Sequence, residues 1–117
     1  MTRIWSSLLV GAALALACGT PTLAQQATSG KGRAVAIQLF QFKPSPTEVM
    51  AGTRVTWTNQ DDITHTVTSG TPESPDARFD SALNGKGTTF SVTFGQPGTY
   101  PYFCHRHQSM RGEIRVN

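Results

Sequence analysis

The sequence predicts an all-β domain, a sandwich or barrel of about seven or eight short strands. Three observations carry that expectation. Apolar and polar residues alternate with a period of two in several short runs, and β-branched and aromatic residues are concentrated there. Clusters of Gly, Pro and Asn separate the runs at regular spacing. Beyond the first two dozen residues no stretch reads as a helix, and neither a repeat nor a second domain is evident.

In chain order, residues 34–42 read as one strand with Val35, Ile37, Leu39 and Phe42 turned inward. Pro44 and Pro46 forbid a helix and mark a bend. Residues 47–50 are a short extended piece that places Met50 in the core, and Ala51-Gly52 turns the chain. Residues 54–58 alternate with Val55 and Trp57 on one side. A polar turn follows at 59–62, to which Asn59 and Asp62 contribute, and β structure resumes at 65–68. Gly70, Pro72 and Pro75 make 69–76 a loop, and 79–83 a short strand. Asn84-Gly85-Lys86-Gly87 is a strong turn signal. In 88–94, Phe90, Val92 and Phe94 share a face; after the turn at 95–98, strands are expected over 99–104, with Tyr102 in the core, and 112–116.

The N-terminus calls for separate treatment. Arg3, an apolar run from Leu8 to Cys18 and the small-residue ending Thr22-Leu23-Ala24 read as a signal peptide over 1–24. The apolar run is too short to span a bilayer. Residues 25–32 are then a flexible polar leader, and 33–117 a single domain. Export to the periplasm follows from the signal. The formal charge of +3 drops by one when Arg3 is removed, too mild and too scattered a balance to suggest nucleic acid. Cleavage also removes Cys18, so Cys104 has no partner for an internal disulfide. A lone thiol in an oxidising compartment is explained by burial or by metal ligation.

The run Cys104-His105-Arg106-His107-Gln108-Ser109-Met110 favours ligation. Thiolate and thioether suit reduced copper, imidazole suits both copper states, and two His with one Cys and a weak axial Met form a blue-copper arrangement. The second imidazole must come from elsewhere, and His65 is the one His outside this run. The candidate ligands are therefore His65, Cys104, His107 and Met110. Neighbours on a strand point to opposite faces, so His105, beside Cys104, is disfavoured, whereas His107 can fold back beside the sulfur. Arg106 reads as a solvated cation or part of a docking rim. A structural zinc with the same donors is the competing metal.

Cys104-x-x-His107-x-x-Met110, followed by Arg111-Gly112 and preceded by Trp57-x-Asn59-x-Asp61-x-x-x-His65-Thr66-Val67, resembles the plastocyanin and pseudoazurin family of cupredoxins; the short Cys-to-Met loop is most similar to its amicyanin branch. The resemblance runs from about Val35 to Val116. It implies a Greek-key β sandwich, one type 1 copper per chain with Met110 axial, and a soluble monomeric one-electron carrier rather than an enzyme. The implied partners are redox proteins, an amine dehydrogenase-like donor or a cytochrome c-like acceptor, with no stable membrane insertion. The family often has Pro where this chain has Arg106. The alternatives are a subunit of a copper oxidoreductase and a copper storage or delivery protein.

Overall fold

The structure, a computed structural model, describes residues 31–117. The expected signal peptide and nearly all of the expected leader lie outside the described residues. Among the described residues nine strands form: β1 (Gly32–Gln38), β2 (Gln41–Lys43), β3 (Thr47–Val49), β4 (Thr53–Asn59), β5 (His65–Thr71), β6 (Ser74–Leu83), β7 (Thr89–Phe94), β8 (Gly98–Phe103) and β9 (Arg111–Val116). They make two sheets, ordered β2-β1-β4-β7 and β3-β9-β8-β5-β6. The all-β sandwich expected from the sequence is what the chain adopts.

Period-two alternation sets which side chains meet between the sheets. Val35 and Ile37 of β1, Val55 and Trp57 of β4, Val67 of β5, Tyr102 of β8 and Ile114 and Val116 of β9 are all buried. Trp57 is the centre of an aromatic cluster, with Tyr102, Phe90, Phe79 and Phe94 at ring-centroid distances of 5.2 to 6.4 Å. Gly112 of β9 lies beneath the Tyr102 ring, where a Cβ would overlap it.

Three expectations are corrected. Residues 34–42 do not form one strand: Leu39 and Phe40 take positive φ of 51° and 60°, and the chain reverses there into the β1–β2 hairpin. Leu39 is consequently 70% exposed instead of inward. Met50 is likewise 70% exposed, because β3 ends at Val49 and the Met50 carbonyl opens a turn, accepting from Thr53 N and Thr53 Oγ1. Residues 69–76 are not a loop but the β5–β6 hairpin, turning between Thr71 and Ser74 with an irregular register beside Gly70. β6 is an edge strand, which is where a sheet tolerates a residue such as Pro75 that cannot donate a ladder bond.

Candidate metal centre

Two separate parts of the chain converge at one end of the sandwich. The first is the β4–β5 turn. Asn59, fully buried at the end of β4, donates through Nδ2 to Ile63 O (2.7 Å) and Leu83 O (3.0 Å) and accepts at Oδ1 from Asp61 N (2.9 Å). One amide therefore shapes the turn and ties it to β6, so that His65 enters β5 facing inward. The second part is the connection from β8 to β9. Cys104 N donates to Met110 O (3.0 Å) and Met110 N to His107 O (2.8 Å), which pinches the loop closed.

The result is a compact donor set. His65 Nδ1, Cys104 Sγ and His107 Nδ1 all lie within 4.8 Å of one another. The sulfur is 3.8 Å from the His65 nitrogen and 3.7 Å from that of His107. Taking bond lengths of ~2.3 Å to sulfur and ~2.0 Å to nitrogen, a single ion with a trigonal arrangement would hold such donors ~3.7 Å apart, so the residues fit one ion. His65 and Cys104 are fully buried, Met110 nearly so, and His107 half-buried. His105 is exposed, its ring 6.3 Å from Phe103 and outside this donor set. Arg106 and Asp62 are exposed as well.

Asp61, a motif residue to which the sequence assigns no role, is drawn into the site by the fold. Its Oδ2 lies 2.8 Å from His65 Nε2, and the same carboxylate accepts from Leu39 N (2.9 Å) and Phe40 N (3.2 Å). Burial works against its charge, but the Leu39 amide, the His65 ring and the Phe40 amide together outweigh it and hold its carboxyl below the usual value. An ionised carboxylate accepts, so Nε2 of His65 donates to Asp61 and Nδ1 is the ring nitrogen turned toward the sulfur. Asp61 also explains the β1–β2 turn: two amides in the left-handed region are captured by one carboxylate. Phe40, held there, packs edge-on against His65 (5.4 Å) and His107 (5.0 Å) and covers the space between them.

Thr66 holds the sulfur from the other side. Its N–H donates to Cys104 Sγ (3.3 Å), while its hydroxyl accepts from His105 N (2.7 Å). Donors to sulfur stabilise the thiolate form.

Residues 31–117 match the family model described as copper binding proteins of the plastocyanin/azurin family. Amicyanin-alpha of Methylorubrum extorquens is 32% identical over 105 residues, 90% of this chain and 87% of that protein. Plastocyanin of Scenedesmus fuscus is 36% identical over 83 residues, 64% of this chain and 85% of its own length. A purple cupredoxin from Nitrosopumilus maritimus superposes with a TM-score of 0.67 at 28% identity, covering 73% of this chain and 99% of that one. The Cu(I) form of an amicyanin variant gives 0.60 at 29% identity, covering 74% and 82%. His65, Cys104, His107 and Met110 are positioned to form a copper site.

Proposed function

The chain belongs to the plastocyanin/azurin family of copper binding proteins, and from that premise we propose that it is a type 1 copper protein working as a soluble one-electron carrier. His65, Cys104, His107 and Met110 would hold the copper. The observation that carries this reading is the convergence of three donor atoms within 4.8 Å from residues as far apart as His65 and Cys104. Copper supplies a one-electron couple whose two states accept this mixed ligand set.

The residues around the site do the remaining work. Asp61 orients His65, Thr66 holds the sulfur, and Phe40 packs edge-on against both imidazoles. Ligands fixed in this way need little rearrangement when the charge changes. The half-buried edge of His107 is the exit for the electron, with exposed Leu39, Phe40 and Ile63 supplying apolar surface for a short-lived contact with a redox protein. An amine dehydrogenase-like donor and a cytochrome c-like acceptor fit that role. A carrier is favoured over an oxidoreductase because the chain has three His, and two serve this site. A second histidine-held centre cannot be built within one chain.

Export after cleavage at Ala24, with the domain occupying 33–117, places the carrier in the periplasm; N-terminal sequencing of the periplasmic protein checks the boundary. The function itself is tested by titrating the copper-loaded protein with a reductant. One electron per chain, taken up and returned reversibly, supports the carrier. Catalytic consumption of a small substrate contradicts it.

A further inference from the structure

The register of β5 on β6 sets Thr68 directly opposite Asp80, and Thr66, two residues earlier, shares its face of the sheet. Their side chains form a continuous chain of hydrogen bonds: His105 N to Thr66 Oγ1 (2.7 Å), Thr66 Oγ1 to Thr68 Oγ1 (2.9 Å) and Thr68 Oγ1 to Asp80 Oδ1 (2.9 Å). Its direction is forced. A carboxylate only accepts, so the Thr68 proton goes to Asp80; the Thr66 proton must then go to Thr68, and the Thr66 oxygen receives the His105 amide.

We propose that Asp80, exposed on the edge strand, is a positioning residue for the Cys104 sulfur, acting through the hydroxyls of Thr68 and Thr66. Both threonines are only 8% exposed, so water competes weakly with their bonds. In a chain of aligned donors each bond polarises the next, and a charged acceptor at the end strengthens the series. The Asp80 charge draws the Thr66 proton outward and makes the Thr66 oxygen a better acceptor for the amide that follows Cys104. Thr66 therefore grips residue 105 with its side chain while its own N–H, 3.3 Å from Cys104 Sγ, donates to the sulfur. A charge at the surface is linked to the ligand by which copper would be held, without touching the site.

The effect of the chain on the metal rests on the copper reading above, but its effect on the apo-protein does not. Three variants test it: Asp80→Ala, Thr68→Val and Asp80→Asn, the last keeping an acceptor oxygen without the charge. In the apo-protein, exchange of the His105 amide hydrogen with solvent should be severalfold faster in Asp80→Ala and Thr68→Val, and intermediate in Asp80→Asn. In the copper-loaded protein, the thiolate-to-copper absorption should move in one common direction, with affinity for Cu(II) falling by up to about tenfold, the low end for residues that support metal ligands. Asp80 is exposed, so its variants fold even where Thr68→Val does not. An unchanged amide exchange rate and an unchanged absorption in Asp80→Ala overturn the proposal. A colourless parent protein instead sinks the copper reading and leaves the amide exchange to decide this one.

Discussion

His65 and His107 present the same ring nitrogen to the same sulfur, at 3.8 and 3.7 Å, yet the fold treats them in opposite ways. His65 is fully buried at the start of β5, which is paired on both sides, and its outer nitrogen is fixed by a carboxylate that two backbone amides hold in turn. His107 is half-buried on a loop, and among the described residues no protein group hydrogen-bonds its outer nitrogen. One imidazole is an anchor and the other a window. The proposed carrier role would use both: a framework that does not move with the charge, and an edge through which the charge can leave.

The sharpest way to break this contrast is to truncate each ring. His65→Ala and His107→Ala should both abolish the thiolate-to-copper colour, whereas His105→Ala should spare it. Denaturation of the apo-proteins should separate the first two. His65→Ala leaves a buried cavity and a carboxylate stripped of its partner, and should cost roughly 2–4 kcal/mol. His107→Ala should stay within about 1 kcal/mol of the parent. Equal losses would mean that the two halves of the site are not held differently.

Asp61→Ala should come next. It frees His65 and also the amides of Leu39 and Phe40, so copper affinity should fall about 10–100-fold and apo stability by roughly 1–3 kcal/mol. Metal titration and chemical denaturation measure the two separately. An affinity loss confined to less than a factor of two would show that Asp61 serves the hairpin and not the ligand.

The loop side is not loose throughout, and Gly112 marks its firm end. A methyl there would overlap the Tyr102 ring, so Gly112→Ala should destabilise the apo-protein by about 1–3 kcal/mol through overpacking. Pairing it with Tyr102→Ala, which empties the contested space, should give less than additive losses.

Tyr102→Phe should have the smallest effect at neutral pH. The hydroxyl and the nearby Trp57 N–H are both buried without a hydrogen-bond partner, so removing the hydroxyl is close to neutral. Burial pushes the Tyr102 pKa up to about 12, with the Trp57 N–H acting weakly the other way. The folded value thus lies above the unfolded one, and the stability it contributes is complete below pH ~10 and lost as pH rises toward 12. An elevation of that size corresponds to roughly 3 kcal/mol over that window. Alkaline denaturation of Tyr102→Phe should lack this component.

The legible and illegible parts of the molecule divide along the same line. Cys104, His107 and Met110 stood out because soft donors at short spacing in a small β protein have few other uses, and strand alternation alone separated His107 from His105. The inward faces of β1, β4, β7 and β9 followed from period two. The anchor half was far harder to read. Leu39 and Phe40 carry no signal for positive φ, being neither Gly nor Asn; a carboxylate more than twenty residues away stabilises their turn. Asp61 reads locally as an ordinary turn residue, and Thr66 as an ordinary strand former. Their roles depend on partners that only the tertiary fold supplies. Met50 was misplaced because its turn begins one residue sooner than the apolar pattern suggests. The 69–76 hairpin was hidden because its prolines fall in the turn and on an edge strand, where they do no harm.

The Cys104 thiolate, with His65, His107 and Met110, is expected to hold a single cupric ion. Adding one equivalent of Cu(II) to the purified apo-protein and recording the visible spectrum tests it most directly. Intense thiolate-to-copper absorption should appear, saturate at one copper per chain, bleach on one-electron reduction and be absent from Cys104→Ser. A parent protein that stays colourless, or colour that survives in Cys104→Ser, would contradict it.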